Sequence, residues 1–177
     1  MNKIKPYLIV LITLFSIGCS TPDIQRHANT TPTLSVQDFF NGRLVAHGLV
    51  KNRSGEVIRH FSADIRASWK NKIGTLDERF IFSDGENQQR IWTLTEQVDG
   101  SFSAKANDVI GEHPMFLQGN ALFMKYVLKL DYNEGTIDVT VDDRMFLVTE
   151  NRIINESIFS KFGVKVASVL LVIEKAY

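Results

Sequence analysis

The chain has 177 residues, a length typical of one domain. Its 20 basic residues balance its 20 acidic residues, so it lacks the basic surplus that binding to nucleic acid or a polybasic contact with a membrane requires. The sequence holds a single cysteine, Cys19, which excludes an intrachain disulfide and a metal site built from several cysteines.

Residues 1–18 have the order of a secretory signal peptide. Lys3 and Lys5 form a short positive region, and residues 7–17 form an uncharged apolar run. This run is too short for the core of a bilayer, which needs about 20 apolar residues. We therefore expect residues 1–18 to be removed rather than retained as an anchor helix.

The cysteine stands where lipoproteins carry their lipid. The Gly18-Cys19 junction resembles a lipobox, the site at which lipoprotein signal peptidase cuts before a diacylated cysteine, although Ser16 replaces the usual leucine. Ser20 resembles an outer-membrane sorting residue. We predict a chain held on the outer membrane by lipid on Cys19, with its domain facing the periplasm. The alternative is an ordinary signal peptide in which the cysteine is incidental.

The region after the cysteine divides into two parts. Residues 19–33 are polar and rich in turn formers, which predicts a flexible tether. From residue 34 onwards, apolar and polar side chains alternate, as residues 57–69 show most clearly, and this alternation is typical of half-buried strands. Turn signals separate the runs at Arg53-Ser54-Gly55, Ser83-Asp84-Gly85, Asp99-Gly100 and Asn133-Glu134-Gly135. Residues 35–40 could form one helical turn capped by Ser35.

We predict that residues 34–177 form an all-β domain, an antiparallel up-and-down, lipocalin-like β-barrel of about eight to ten strands. A transmembrane barrel is the competing interpretation, because Tyr177 is a terminal aromatic residue. However, the polar faces of the strands carry charges such as Asp64 and Arg66, which a lipid-facing band excludes. The pattern therefore favours a barrel outside the bilayer.

Nine fragments spread over the domain carry a family resemblance. They are Phe39-Phe40-Asn41-Gly42, residues 48–55, residues 76–80, Asp84-Gly85-Glu86, Arg90-Ile91-Trp92, residues 108–111, residues 119–122, Asp142-Asp143 and Lys161-Phe162-Gly163. In combination they resemble a family of uncharacterised Gram-negative lipoproteins with a lipocalin-like barrel, a domain of unknown function. The resemblance implies an envelope lipoprotein and transfers no catalytic residue. In the family pattern an aromatic residue follows the paired aspartates, whereas this chain has Arg144 at that position.

Two hairpins set the register of candidate site residues. A three-residue loop at residues 53–55 would place His47 and His60 on opposite faces, with His47 on the apolar one, so that they cannot share a metal. A similar loop at residues 83–85 would place Glu78 opposite Arg90 on an aromatic face. We interpret Glu78 and Arg90 as either a structural ion pair or the polar handle of a ligand pocket.

Other polar residues form no recognised catalytic pattern. Asp142 and Asp143 end a predicted strand and Asp108 follows another, so we expect turn formers in preference to acid–base groups or calcium ligands. Ser101 and Ser103 lack a nucleophile elbow. The sequence therefore predicts neither an enzyme, nor a metal site, nor a cofactor.

Three classes of function remain, with an enzyme ranked last. The barrel either binds or carries one small apolar or lipid ligand, or it is a filled barrel with a structural or interaction role in the outer membrane. Interior volume separates these two, because four large residues could fill the lumen. They are Trp69, Phe80, Phe82 and Trp92.

Overall fold

The computed structural model describes residues 23–132 and 135–176. A 3-10 turn (Ile24–His27) and one helical turn, α1 (Val36–Phe39), precede the strands. The strands in these ranges are β1 (Gly42–Asn52), β2 (Val57–Lys70), β3 (Ile73–Phe82), β4 (Asn87–Glu96), β5 (Phe102–Ala106), β6 (His113–Gln118), β7 (Ala121–Tyr132), β8 (Gly135–Thr149), β9 (Arg152–Lys161) and β10 (Val164–Lys175). No helix in this part of the chain is both long and apolar enough to cross a membrane.

The ten strands close into one barrel. Each strand pairs antiparallel with the next along the chain, and β1 pairs with β10 to complete the ring. Every strand thus has a neighbour on both sides, although β5 pairs only with residues 92–96 of β4 and β6 only with residues 121–124 of β7. This architecture confirms the predicted antiparallel up-and-down, lipocalin-like barrel, at the upper end of the predicted strand number.

Side chains alternate between the lumen and the outer surface, as the sequence pattern predicts. In β2, Phe61, Ala63 and Ile65 are buried, whereas Arg66 and Ser68 on the opposite face are exposed. Burial of one apolar face from every strand is the main source of stability in such a sheet. The lumen is therefore apolar wherever the alternation is regular.

One end of the barrel, here called the closed end, is covered by α1. The Ser35 side chain caps this turn by accepting a hydrogen bond from the backbone N–H of Asp38 (3.3 Å), as predicted from the sequence. The turn buries Val36 and Phe39. Phe40 is the residue that follows α1. The Trp69 indole donates a hydrogen bond to the backbone carbonyl of Phe40 (2.7 Å) and so joins the turn to the wall of the barrel.

Residues 23–33 dock on the outer surface near the closed end. The Thr30 hydroxyl donates to the Asn120 side chain (2.6 Å), and the His27 ring packs edge-on against Phe123 at a centroid distance of 5.9 Å. Gly119 lies so close to this segment that an added Cβ would come within 1.8 Å of the His27 carbonyl oxygen. This part of the predicted tether is therefore held against the barrel and is not free.

The β3–β4 hairpin has the predicted register. Glu78 faces Arg90, and Leu76 faces Trp92. The turn is closed by a backbone hydrogen bond from Phe82 N–H to the carbonyl of Glu86 (2.9 Å).

The β1–β2 hairpin starts as predicted and then changes register. The turn pairs Asn52 with Glu56, but a β-bulge between Val50 and Lys51 shifts every later pair by one residue. His47 consequently faces Ser62, and both His47 and His60 are exposed on the outer surface. The prediction that the two histidines lie on opposite faces, with His47 in the core, is wrong because a bulge reverses the alternation.

Candidate ligand-binding cavity

The barrel encloses a cavity of about 290 Å³. Its lining residues near α1, such as Leu94 and Leu122, are buried, whereas Val50 and Phe82 at the opposite end are half-buried and Gln88 is exposed. The cavity thus opens at the end that carries the β1–β2 and β3–β4 hairpins, here called the open end. Its volume lies at the lower limit for small-molecule pockets, about 300 Å³.

The large aromatic residues line the cavity without filling it. Phe61 packs against Phe80 and Phe82 at centroid distances of 5.6 and 5.4 Å, and these three rings form one wall toward the open end. Trp92 lies deeper and packs edge-on against Tyr126 (5.3 Å). Of the four residues expected to decide the interior volume, three therefore lie in the cavity wall, and Trp69 lies against α1.

A polar group interrupts the apolar wall midway along the barrel. The guanidinium of Arg90 forms an ion pair with Asp108, with its Nε and Nη2 each within 3.0 Å of a carboxylate oxygen. Asp108 comes from the loop after β5, whereas Glu78 directly opposite Arg90 makes no ion pair with any residue of the described ranges. The expected pairing of Glu78 with Arg90 is wrong in this respect, because a loop beyond the hairpin supplies the nearer carboxylate.

The carboxyl of Glu78 faces the cavity beside Arg90. Burial raises the pKa of Glu78 from 4.5 to about 7, although the nearby Arg90 charge opposes this shift. The carboxyl of Asp143 also raises the pKa, which indicates that the two acids lie within electrostatic range of each other across the lumen.

Asp143 is the second acid of the cavity, and it is 4% exposed. Its Oδ1 accepts hydrogen bonds from Asn155 Nδ2 (2.6 Å) and the Ser157 hydroxyl (2.7 Å). Burial nevertheless raises the pKa of Asp143, because these two hydrogen bonds offset only part of the desolvation. The prediction that Asp142 and Asp143 are strand-end turn formers is wrong, since both lie in the middle of β8.

Tyr126 completes the polar part of the wall. Its side chain is 4% exposed, and its hydroxyl makes no hydrogen bond with another residue in the described ranges. Burial raises the pKa of Tyr126, so the hydroxyl stays protonated and can both donate and accept. The hydroxyl is not a buried unsatisfied atom, so it faces open space in the cavity, where a bound molecule could hydrogen-bond to it.

The described residues contain no cluster of three or more histidine, cysteine, aspartate or glutamate side chains able to hold a metal ion.

The comparison with family models covers almost the whole chain. The model of a family described as "Protein of unknown function (DUF3833)" matches residues 13–175. The chain belongs to the DUF3833 family. No curated protein matches this DUF3833 chain.

Two solved structures resemble the DUF3833 barrel. The S-type phycobiliprotein lyase CPES from Guillardia theta aligns with a TM-score of 0.51 and 12% identity, covering 88% of this chain and 99% of the lyase. A redesigned β-barrel, mFAP0, bound to DFHBI, aligns with a TM-score of 0.41 and 8% identity, covering 77% of this chain and 99% of that protein. The first similarity shows a shared fold, and the second is too distant to support an argument.

The structure brings together two residues singled out from the sequence with several that were missed. Glu78 and Arg90 both line the cavity of this DUF3833 protein, whereas Cys19 and the signal peptide lie outside the described residues. Asp143 and Tyr126 were missed, although the alternation carries a signal for both. Continuing the apolar face of β8 from Val141 by two residues reaches Asp143, which therefore points inward.

Proposed function

We propose that this DUF3833 protein binds a small amphipathic ligand inside its barrel. The observation that supports this proposal is an apolar cavity whose wall carries two polar groups open to the lumen, the carboxyl of Glu78 and the hydroxyl of Tyr126. A bound molecule with a polar group could hydrogen-bond to these two side chains while its apolar portion contacts the rest of the wall. A filled structural barrel gains nothing from this arrangement.

The lyase fold supports only the barrel part of this proposal. At 12% identity its activity does not transfer, and we propose binding without a reaction. The apolar wall supplies affinity for a hydrocarbon portion, and the polar group of Glu78, Arg90 and Tyr126 supplies orientation.

We also propose that the protein is an envelope lipoprotein anchored through Cys19 on the outer membrane. The support is the sequence order described above, which ends at the single cysteine. Four chain steps separate Cys19 from Asp23, the first docked residue, and they span at most about 14 Å. Because residues 23–33 dock near the closed end, a lipid on Cys19 would direct the open end away from the membrane surface.

Calorimetric titration with octanol tests ligand binding. Octanol has an apolar chain and a neutral hydroxyl, so it probes the cavity without adding a charge. Val169→Phe narrows the lumen, since Val169 lines the cavity, and Leu170→Phe is its matched control on the outer face of the same strand, where Leu170 is 38% exposed. We expect the parent and Leu170→Phe to bind octanol and Val169→Phe to lose binding at least tenfold, roughly the effect of about 1.4 kcal/mol. Equal heats from all three proteins would contradict the proposal.

A further inference from the structure

The cations of the lumen are already neutralised by protein carboxylates. Arg59, at the open end, is paired with Asp84 (2.8 Å) and Glu86 (2.7 Å). Arg90 is held by Asp108 through two of its nitrogens. Among the residues that the structure describes, the cavity therefore presents no unpaired cation to a ligand.

The two acids of the lumen make no ion pair within the described ranges, although Arg90 lies within electrostatic range of both. The carboxyl of Glu78 makes no ion pair in the described ranges, and Asp143 is held by the neutral donors Asn155 and Ser157 at a single oxygen atom, Oδ1. Tyr126, a residue only 4% exposed, lies on the same wall, and its hydroxyl is open to the lumen. Midway along the barrel, the wall thus offers carboxylate oxygens that make no ion pair in these ranges, whereas the buried donor without a hydrogen bond, Arg59 Nε, lies at the open end beside Asp84.

We propose that the ligand's polar head is a protonated amine, held by the Glu78 carboxylate and the Tyr126 hydroxyl, while its hydrocarbon portion contacts the apolar wall. This inference rests on the proposed ligand binding and adds the chemical class of the ligand. An ammonium group donates three hydrogen bonds and can form with Glu78 the direct ion pair that Arg90 forms with Asp108 instead. A carboxylate head would instead meet two acids and no free cation, which disfavours it electrostatically.

Three eight-carbon probes that differ only in their heads test this inference on the full chain. They are octylamine, octanol and octanoate, titrated into the same protein by calorimetry. We expect octylamine to bind at least about tenfold more tightly than octanoate, with octanol between them. If octanoate binds as tightly as octylamine, the amine inference is overturned. If none of the three binds, ligand binding itself is overturned, so the two failures are distinguishable.

Variants locate the head group. Glu78→Gln keeps the shape of the side chain and removes its charge, and we expect it to weaken octylamine about thirtyfold while leaving octanol unchanged. Asp77→Asn is the matched control, because Asp77 is the neighbouring acid on the same strand and its side chain bonds to Gln89 outside the lumen (2.6 Å). Octylamine affinity unchanged in Glu78→Gln, or lowered equally in Asp77→Asn, would overturn the assignment.

A second variant protects the test if Glu78→Gln does not fold. Tyr126→Phe removes only the unpartnered hydroxyl and keeps the ring against Trp92. We expect its melting temperature to match the parent and its octylamine affinity to fall about fivefold, the effect of one lost hydrogen bond. Parental octylamine affinity in a folded Tyr126→Phe protein would show that the head does not reach this wall and would overturn the proposal.

Discussion

Arg90 forms its ion pair with Asp108, 18 residues away along the chain, and not with Glu78, which faces it across the hairpin. The Nε atom of Arg90 lies 3.0 and 2.8 Å from the two carboxylate oxygens of Asp108. This pair links the loop after β5 to the wall of the cavity and leaves Glu78 without an ion pair in the described ranges, although the Arg90 charge still acts on it. Because Arg90 pairs with Asp108 and not with Glu78, this contact affects both the stability of the barrel and the chemistry of its cavity.

The first prediction concerns that ion pair. Arg90→Met leaves the half-buried carboxylate of Asp108, 27% exposed, without its partner, which should lower the free energy of unfolding by about 1–3 kcal/mol. The double variant Arg90→Met/Asp108→Leu should recover much of this loss, because neither charge then remains unpaired. Urea denaturation of both single variants and the double variant measures the coupling. Strictly additive effects would mean that the two residues do not interact in solution.

The second prediction follows from the raised pKa of Glu78. The folded protein holds the Glu78 proton more tightly than the unfolded chain does, with a pKa of about 7 against 4.5. Stability should therefore fall as pH rises from about 4.5 to 7 and stay level above that range. At about 1.4 kcal/mol per pKa unit, the Glu78 contribution amounts to roughly 3 kcal/mol. The groups that face Glu78 and share this electrostatic environment are Arg90, Asp108, Asp143 and Trp92.

Glu78→Gln isolates this contribution. The glutamine cannot ionise, so the variant should lose the Glu78 part of the fall in stability, keep the smaller part due to Asp143, and exceed the parent in free energy of unfolding above pH 7. Denaturation curves recorded between pH 4 and 8, roughly spanning both pKa values, measure the difference. Asp77→Asn on the outer face should keep the parental fall between pH 5 and 7. A Glu78→Gln curve parallel to that of the parent would place Glu78 in water.

The third prediction concerns the docked segment at residues 23–33. Gly119 has a φ of +54°, and a Cβ added to it would lie 1.8 Å from the His27 carbonyl oxygen. Gly119→Ala therefore combines backbone strain with a steric clash. Gly100→Ala has a comparable φ of +82° but no atom within 4 Å, and it therefore measures the strain alone. We expect Gly119→Ala to increase hydrogen exchange at the backbone N–H of Thr30 and Leu34. Equal exchange in both variants would show that the segment is not held by this contact.

The fourth prediction tests the lipid anchor. Cys19→Ala removes the only cysteine, so the protein should remain uncleaved or appear in the soluble fraction of the envelope. Mass spectrometry of the N-terminus and membrane fractionation measure the two outcomes. A Cys19→Ala protein that is processed normally and still fractionates with membranes would contradict the anchor.

The fold could be predicted from the sequence because its determinants are local. Regular alternation in β2 and the Gly-containing turns specify strands and hairpins without reference to distant residues. The β1–β2 register could not be predicted, because the bulge after Val50 leaves no clear mark in the sequence and reverses the faces of His47 and His60.

The candidate site was only partly predictable. Glu78 and Arg90 follow from one hairpin register, which the turn residues determine. Asp108 reaches Arg90 through a loop whose path depends on the closed barrel, and local spacing carries no information about that path. Asp143 was within reach, since the alternation of β8 continues through it, but a pair of adjacent aspartates is also typical of turns.

Identification of the molecule that occupies the cavity in the cell tests the central claim most directly. The parent, Val169→Phe and Leu170→Phe proteins would be purified from native membranes, and small molecules would be extracted from each and quantified by mass spectrometry. We expect the parent and Leu170→Phe to carry about one amine-bearing amphiphile per chain and Val169→Phe to carry little. Identical extracts from Val169→Phe and the parent would contradict ligand binding in the barrel.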